Sequence, residues 1–541
     1  MKRKPAWDEI LGMLLFLSAA GFLAVSVFLC FSDDIWYDEL FTMGLAGQSF
    51  GELISVTARD VHPPLYYIIV KLFLMLFQVL GVGSSAASAS GTYAASGLFT
   101  PVAVAKLVSV LPFSLCLLYG AVKVRRHFGL LAAGLFAFLV LAMPQLGGYT
   151  VEVRMYGYAL FFVTAGMLHA YELTLEADKK SRIVNWTALS LYSLAACYTH
   201  YFACVGAVMI YACLLFAFLK ERRLKEEWKA FLASGFFCAL GYLPWIFGAV
   251  GMQVGQVKEN YWIQPVTWRT LGGCVKFLFR PAFSSEKLNV ILAVILFAIY
   301  AVLFGGALTG ERKRNSSSDI ESKKPISQND FVFGCVAVLA GIVFFGFAAS
   351  LLIRPIFVYR YMLPTMGLFW LAFAILLSQW KEKKAVFFPI FLLFLLVGFR
   401  NYRAFYGEEM WKRVQMADVR EALSQIEKED AVVFNFDQTQ GVVSFYLPNE
   451  TYLWYGEPET LIVEMYPQNH ALVEGQFSDE AGIDALKALI REHERVWFCG
   501  SGNAREEIIE KWGNFGIEAE EKASVMVERY WFNLYRLKNT K

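Results

Sequence analysis

The sequence has few charged residues and almost no excess of one charge. Only 18% of its 541 residues are Asp, Glu, Lys or Arg, whereas 57% are hydrophobic and 16% are aromatic. A composition this apolar excludes a cytosolic globular enzyme. The 49 basic residues are nearly balanced by 47 acidic residues, which leaves a net charge of +2. The chain therefore has no basic field that would attract a nucleic acid.

The sequence also lacks paired cysteines. None of its nine cysteines forms a CxxC pair, so disulfides and zinc sites are not expected. We find no Gly-rich nucleotide fingerprint at the start of a helix and no internal repeat. No cofactor is indicated with certainty, and a requirement for a divalent metal stays open. Eight cysteines lie within or beside apolar runs: Cys30, Cys116, Cys197, Cys204, Cys213, Cys238, Cys274 and Cys335.

Long apolar runs dominate the first 400 residues. A helix needs about 20 apolar residues to cross the hydrocarbon core of a bilayer. The first run follows the basic start MKRKP and lacks a convincing cleavage site, so we interpret it as a retained membrane helix rather than a signal peptide. Eleven runs qualify, and they begin near Ile10, Phe99, Gly129, Met155, Trp186, Phe202, Ala230, Leu288, Phe331, Tyr361 and Ala385.

The positions of Lys and Arg orient these runs, because basic residues in short loops stay on the cytoplasmic side. With eleven spans and the N-terminus inside, the inner connections hold the basic clusters, such as KERRLKEEWK at 220–229. This orientation requires the segment 62–81 to remain on the outer face. Lys71 and Gln78 suit an interfacial helix there better than a lipid-exposed span. The topology depends on whether this segment crosses.

The pattern predicts a multi-span α-helical membrane protein with a small C-terminal α/β domain. Residues 1–400 would form the membrane domain, with a large outer loop at 32–98 that contains the flexible stretch GSSAASASG. Residues 401–541 are more polar, and the odd number of spans places them outside. Their strand-like runs are AVVFNF (431–436), TYLWYG (451–456), RVWFCG (495–500) and VMVERYWFNLYRL (525–537), and helical spacing occurs at 411–428 and 505–512.

The first outer loop opens with the acidic motif FSDDIWYDELF. It contains Asp33, Asp34, Asp38 and Glu39 among aromatic residues. A carboxylate just outside the bilayer in such surroundings could act as a general base with a modestly raised pKa. The alternative is a solvated acidic turn that follows a membrane helix.

The same loop contains the motif ARDVHPPLYY. Two prolines follow Asp60 and His62 and fix an extended entry into the next helix, which would hold both side chains in place. The alternative is that the prolines only start the helix and the tyrosines only lie at the level of the lipid headgroups.

Later outer turns add ionisable and aromatic residues. GGYTVEVRMYGY places Glu152, Arg154 and Tyr156 at the membrane boundary, where a charge is costly unless it is paired or lines a wet cavity. A Glu152–Arg154 ion pair is the alternative interpretation. YTHYF places His200 and Tyr201 in another outer turn, where a packed or capping histidine is the alternative.

RPIFVYRYMLP adds Arg354, Arg360 and Tyr361 to the outer face. Arg is well shaped to bind two phosphate oxygens, although it can also anchor a helix at the headgroups. Lys106, inside the second run, could reach a phosphate or extend outward to the headgroups. Carboxylates and arginines on one face fit transfer of a group from a lipid phosphate. The arginines would neutralise the departing phosphate while a carboxylate accepts the proton of the attacking hydroxyl.

In their order and spacing these motifs resemble those of the GT-C membrane glycosyltransferases of the family 39 type. That group includes protein O-mannosyltransferases and the enzyme that adds aminoarabinose to lipid A. The matching segments cover most of residues 1–400. They are the Asp38-Glu39 pair, D-x-HPPLYY at 60–67, E-x-R-M-Y at 152–156, THYF at 199–202 and RYMLP at 360–364.

The resemblance implies a GT-C-like fold and an inverting transfer of a hexose or pentose from a polyprenyl-phosphate donor. It implies that Asp38 is the catalytic base, with Glu39 beside it, and that the HPPLYY helix is a juxtamembrane element. The enzyme would lie in the plasma membrane with its site and its C-terminal domain outside the cytoplasm. The residues assigned to donor binding are Asp60, His62, Lys106, Glu152, Arg154, Tyr156, His200, Tyr201, Arg360 and Tyr361.

The expected partners are the lipid-linked sugar donor, membrane lipids and an acceptor that is a glycan, a lipid or a protein. Two other classes of protein stay open. A transporter or flippase of lipid-linked sugars commonly has repeated halves and ionisable groups near the bilayer midplane, and neither is visible here. A non-catalytic scaffold would use its C-terminal tail to bind a partner.

Overall fold

The computed structural model describes residues 6–81, 99–175, 178–253, 263–316, 326–527 and 530–539. The basic start and the stretch GSSAASASG lie outside the described residues. In chain order the helices are α1 Trp7–Leu29, α2 Tyr37–Gly47, α3 Phe50–Arg59, α4 Leu65–Val79, α5 Pro101–Tyr119, α6 Arg125–Ala142, α7 Tyr156–Thr174, α8 Lys179–Thr199, α9 Tyr201–Lys220, α10 Leu224–Trp245, α11 Trp268–Phe279, α12 Glu286–Ser316, α13 Gln328–Leu352, α14 Leu363–Ser378, α15 Lys384–Leu423, α16 Asp437–Tyr446, α17 Thr460–Met465, α18 Asp479–Glu492 and α19 Ala504–Asn514.

Helices occupy all eleven predicted apolar runs, as α1, α5 to α10 and α12 to α15. In the described part of the chain, eight helical stretches are long and apolar enough to cross a membrane, and the chain is an integral membrane protein. One of these stretches, Pro101–Ala142, contains both α5 and α6. The two helices are joined by the π-helical turn Gly120–Val124, and Gly129 (φ 86°) interrupts the helical path. Helices α7 and α8 lie outside those eight stretches.

Helix α4 comes from the segment on which the topology depends. It has 15 residues. At about 1.5 Å per residue it is about 22 Å long, which is shorter than the roughly 30 Å of a hydrocarbon core. Its length supports the interpretation that this segment does not cross the membrane.

One compact unit consists of residues 1–28, 61–66 and 109–405. Helix α14 is its centre, because nearly all its side chains are buried and it packs against α6, α7 and α13. Glycines allow close approaches between helix backbones in this unit. A Cβ atom at Gly367 of α14 would lie 2.2 Å from Thr164 Oγ1 of α7, and one at Gly134 of α6 would lie 2.2 Å from the Gly12 carbonyl oxygen of α1.

The second compact unit consists of residues 29–60, 67–108 and 406–541. It contains a six-stranded sheet in the order β3-β2-β1-β4-β6-β5. The first four strands are parallel, and β6 runs antiparallel to both of its neighbours. The strands are β1 Ala431–Phe434, β2 Thr451–Leu453, β3 Asn469–Ala471, β4 Val496–Ser501, β5 Ile517–Val527 and β6 Tyr530–Asn539.

Both faces of this sheet are covered by helices, which confirms the predicted α/β character of the C-terminal region. Apolar residues from the end of α15 and from α16 bury one face, and residues of α18 and α19 bury the other. In β1, Val432 belongs to the first of these cores and Val433 to the second. This alternation follows from the two-residue period of a strand.

Two local predictions for this region need correction, and one short strand was not predicted. The run 525–537 is not one strand, because its residues belong to the antiparallel pair β5 and β6, and a two-residue alternation contains no information about where a chain reverses. The helical run 411–428 is the end of the 40-residue helix α15, which continues without a break across residue 401 and ends at Leu423. Strand β3 was missed because three residues are too few to show a pattern.

The first-loop helices α2 and α3 belong to the second unit and begin at identifiable caps. Glu39 accepts a hydrogen bond from the backbone N–H of Trp36, the residue that precedes α2 (3.1 Å). Ser49 and Glu52 form a reciprocal capping box at the start of α3. These caps compensate for the unpaired N–H groups at a helix start.

Candidate active site

The turn between α8 and α9 positions His200. This residue ends α8 in an extended conformation, and its Nδ1 atom accepts a hydrogen bond from the backbone N–H of Phe202 (3.1 Å). Because Nδ1 is an acceptor, the proton of the neutral ring lies on Nε2. His200 is therefore a capping residue, as the alternative interpretation held, and it also presents an N–H donor.

Three predicted site residues surround the buried His200 ring. The distances between ring centroids are 5.9 Å to His62, 5.4 Å to Tyr156 and 5.1 Å to Tyr361. The four residues come from the HPPLYY segment, the start of α7, the α8–α9 turn and the short 3₁₀ helix Tyr359–Met362. The structure thus gathers residues that are far apart in the chain.

Two arginines lie near this group. Arg154 is buried, and its backbone N–H donates to the carbonyl of Glu152 (2.7 Å) in the turn before α7. Burial lowers the pKa of His200 well below its ordinary value, and the charges of His62, Arg154 and Arg360 lower it further. His200 is therefore neutral at physiological pH.

Tyr149 is a member of this cluster that sequence reasoning missed. Its ring centroid lies 5.3 Å from that of Tyr156. Desolvation and the charge of Glu152 raise the pKa of Tyr149, while Arg360 and Arg154 oppose the rise. Tyr149 stands in the quoted motif GGYTVEVRMYGY, three residues before Glu152, so its position in that motif could have identified it.

The cluster therefore combines two guanidinium groups, two imidazoles, three phenols and one carboxylate. We call the set of His62, Tyr149, Glu152, Arg154, Tyr156, His200, Arg360 and Tyr361 the His200 cluster. Guanidinium groups are the side chains best suited to bind an oxygen-rich anion. Phenol and imidazole rings add hydrogen-bonding groups that carry no negative charge and so do not repel an anion.

Lys106 has a different environment from the one expected for a donor-binding residue. Its Nζ atom lies 2.9 Å from Asp34 Oδ1, and the two side chains are only 2% and 7% exposed. Ser32 connects them, since its hydroxyl accepts from Lys106 (2.9 Å) and donates to Asp34 (2.5 Å). Burial raises the pKa of Asp34, but the Lys106 charge and the Ser32 hydrogen bond outweigh it and hold this pKa below its ordinary value. Sequence reasoning did not find this pairing.

The predicted catalytic pair lies in the first turn of α2. Asp38 is partly exposed, whereas Glu39 is buried and caps the helix through the Trp36 N–H. A carboxylate in the first turn is stabilised by the helix dipole. The two residues therefore differ, because Glu39 is buried in a helix cap whereas Asp38 is partly exposed to solvent.

Two other predicted residues have local structural contacts. Asp60 ends α3, where its backbone N–H donates to the carbonyls of Val56 and Thr57. The Tyr201 hydroxyl is hydrogen-bonded to the Gln253 side chain and accepts from Trp245 Nε1 (3.1 Å). These contacts hold Tyr201 against the end of α10, so its expected role in donor binding stays a prediction.

No family model matches this sequence, and no curated protein matches it. Solved structures do match this chain. The chain is 15% identical to ArnT from Cupriavidus metallidurans over 97% of both chains, with a TM-score of 0.48. It is 12% identical to the oligosaccharyltransferase of Archaeoglobus fulgidus, over 80% of this chain and 62% of that one, with a TM-score of 0.44. For the arabinosyltransferase EmbB from Mycobacterium smegmatis the identity is 13%, the coverage 67% and 30%, and the TM-score 0.37.

A second structure of ArnT from Cupriavidus metallidurans contains undecaprenyl phosphate, and it is 15% identical to this chain with a TM-score of 0.46.

The described residues include no group of three or more His, Cys, Asp and Glu side chains that could hold a metal ion. The organic side chains of this arrangement offer two kinds of chemistry. Arginine and histidine donors bind an anion, and a carboxylate accepts a proton.

Proposed function

We propose that this protein transfers a hexose or pentose from a polyprenyl-phosphate donor to a hydroxyl group of an acceptor outside the cytoplasm. The observation that supports this proposal is the His200 cluster. Two arginines and a neutral histidine donor, brought together from distant parts of the chain, are suited to bind the phosphate of a lipid-linked sugar.

In the proposed reaction the acceptor oxygen attacks the anomeric carbon of the sugar from the face opposite the phosphate. The bond between that carbon and the phosphate oxygen breaks, so the configuration inverts and polyprenyl phosphate leaves. Asp38 accepts the proton of the acceptor hydroxyl. Arg154 and Arg360 stabilise the negative charge that grows on the departing phosphate, and His200 donates through Nε2–H.

The remaining assignments have unequal support. Glu39 supports Asp38 by capping α2, and Lys106 acts on the first loop through Asp34 rather than on the donor directly. We retain Asp60 and Tyr201 as donor-site residues on the resemblance of the motifs alone. The residues proposed to contact the donor phosphate or sugar are His62, Glu152, Arg154, Tyr156, His200, Arg360 and Tyr361.

We infer the location of the site from the charge pattern of the sequence. Basic connections favour the cytoplasm, and the eleven spans predicted from the sequence, an odd number, would put the His200 turn and residues 401–541 outside. We therefore propose a membrane domain at 1–400, with the outer loop 32–98, and an extracytoplasmic α/β domain at 401–541. Labelling from outside intact cells of a cysteine introduced at Ser55 tests this orientation. If that cysteine were not labelled while a control cysteine accessible from outside was labelled, the loop would lie in the cytoplasm.

Turnover by the purified chain tests the function. The full-length protein in lipid nanodiscs would be given polyprenyl phosphate carrying a radiolabelled sugar together with an envelope extract. Transfer of the label from the donor lipid to a glycan, a protein or a different lipid of the extract is expected. Movement of the labelled lipid between leaflets of proteoliposomes without any transfer would instead identify a flippase.

A further inference from the structure

The α/β fold formed by residues 431–539 contacts the first-loop segment that leads into α2. The Tyr446 hydroxyl, at the end of α16, accepts a hydrogen bond from the backbone N–H of Ile35 (3.1 Å) and donates to the backbone carbonyl of Asp33 (3.0 Å). One hydroxyl thus binds a donor and an acceptor of the same short segment. This fixes the path of the chain just before Asp38.

A second contact holds the first turn of α2. Tyr37 is the residue before Asp38, and its hydroxyl donates to Glu459 Oε2 (2.7 Å), just before α17. Glu459 is partly buried, and burial raises its pKa, although the hydrogen bond from Tyr37 opposes the rise. A hydrogen bond in a partly desolvated environment is stronger than one in water.

Further contacts fix the body of α2. The Tyr466 hydroxyl donates to the backbone carbonyl of Leu40 (3.1 Å). Helix α2 also approaches α17 closely, since a Cβ atom at Gly44 would lie 2.8 Å from Met465 Sδ. On the other side, a Cβ atom at Gly441 of α16 would lie 3.1 Å from Leu40 Cδ2. Little space remains for α2 to shift.

An ion pair holds the end of α3. The two terminal nitrogens of Arg59 lie 2.5 and 2.6 Å from the two carboxylate oxygens of Glu464. This paired geometry is the strongest arrangement for an arginine and a carboxylate. Both side chains are about one-third exposed, so its contribution is smaller than that of the buried contacts.

We propose that the C-terminal α/β fold is a positioning element of the catalytic site, which holds the first loop so that Asp38 has a fixed location. Tyr446, Glu459, Tyr466 and the Arg59–Glu464 pair are positioning residues rather than catalytic residues. The proposal rests on the proposed function of Asp38. Its physical basis is that loops are mobile unless a scaffold holds them, while a misplacement of about 1 Å can lower a rate by about 100-fold.

The variant Tyr446→Phe tests the proposal, because it removes the bridging hydroxyl and leaves the ring. With the full-length protein in nanodiscs, turnover should fall about tenfold while the KM for the lipid-linked donor changes less than twofold. Amide hydrogen exchange at residues 33–40 should become faster. The matched control is Tyr452→Phe in β2, where the ring lies against His470 (5.6 Å between centroids). This control should keep parental turnover and parental exchange.

A charge exchange provides a second measurement in case Tyr446→Phe folds poorly. Arg59→Glu and Glu464→Arg should each lower turnover by about two- to threefold without changing the donor KM, and the double variant should recover most of the loss. If the double variant did not recover turnover, the Arg59–Glu464 pair would not be a positioning contact.

The hydrogen-exchange measurement separates this proposal from the proposed function. If the parental chain turns over no donor, the proposed function is rejected. Faster exchange at residues 33–40 in Tyr446→Phe would still support the proposal that the α/β fold holds the first loop. If the parent is active and Tyr446→Phe keeps both the parental turnover and the slow exchange, the proposal that the α/β fold positions the first loop is overturned. Loss of donor affinity together with turnover would also overturn it, because the defect would then lie in donor binding.

Discussion

The Nζ atom of Lys106 and the Oδ1 atom of Asp34 form an ion pair of 2.9 Å, and both side chains are almost excluded from solvent. The pair joins α5 to the start of the first outer loop. Removing both charges from water is costly, and only a mutual interaction with further hydrogen bonds compensates for it. Ser32 supplies such hydrogen bonds here.

Replacing one partner of this pair should destabilise the protein. Lys106→Met leaves Asp34 as an uncompensated buried charge, which costs about 3–5 kcal/mol. The double variant Lys106→Met with Asp34→Asn should recover much of this loss. Thermal unfolding in detergent measures the stability of the single and the double variant. If Lys106→Met weakened donor binding at unchanged stability, Lys106 would be a donor-binding residue, as the sequence alone predicts.

Asp38 and Glu39 should respond differently to neutralisation. Asp38→Asn removes the proposed base and should lower turnover by about 100- to 10,000-fold in correctly folded protein. Glu39→Gln keeps an oxygen that can accept from the Trp36 N–H, so the cap and most of the activity should remain. Radiolabel transfer by the two variants is the measurement, and normal turnover by Asp38→Asn would remove Asp38 from the mechanism.

Arg360→Ala should weaken binding of polyprenyl phosphate. A hydrogen bond to a charged group contributes about 1.5–3 kcal/mol, so the dissociation constant should rise about 10- to 100-fold. The matched control is Arg269→Ala, because Arg269 lies over the exposed Trp268 ring on α11. Titration of both variants with polyprenyl phosphate compares them, and equal affinities would reject the role of Arg360.

His200 should make stability depend on pH. The folded protein keeps His200 neutral because its pKa is well below 6.5, whereas the unfolded chain binds a proton near that value. Below about pH 6.5 the free energy of unfolding should therefore decrease with falling pH, by at most about 1.4 kcal/mol per pH unit. Asn can cap α9 without titrating, so His200→Asn should show a weaker decrease between pH 7.5 and 5.5 in thermal unfolding. An identical decrease in parent and variant would mean that His200 titrates normally in the fold.

Two neighbouring glycines of α11 offer a matched test of the segment that contains Arg360. A Cβ atom at Gly273 would lie 2.1 Å from the Tyr359 hydroxyl oxygen, whereas one at Gly272 would meet no atom within 4 Å. Gly273→Ala should displace Tyr359, cost about 1–3 kcal/mol of stability and lower the affinity for polyprenyl phosphate. Gly272→Ala should be neutral or slightly stabilising, because Ala favours a helix over Gly. Similar behaviour of the two variants would mean that Tyr359 moves without effect on the site.

Much of the fold could be predicted from local pattern. An apolar run of about 20 residues has few alternatives to a membrane helix, because every backbone polar group must be paired inside the bilayer. Composition therefore predicted a helix at each of the eleven runs, although α7 and α8 lie outside the stretches that are long and apolar enough to cross a membrane. The hairpin of β5 and β6 and the short strand β3 did not, since pairing between strands depends on partners that a single run does not show.

The sequence by itself determined the class of the protein, its helices and the motifs that contain the candidate residues, because apolar length and residue type are local properties. The tertiary structure alone decided which residues meet. The Tyr446 hydroxyl binds the backbone of Ile35 and of Asp33, which lie 411 and 413 residues away in the chain. His200 lies between aromatic residues of three other segments. Such pairings depend on how helices pack against one another, and no single segment of the chain records its partner.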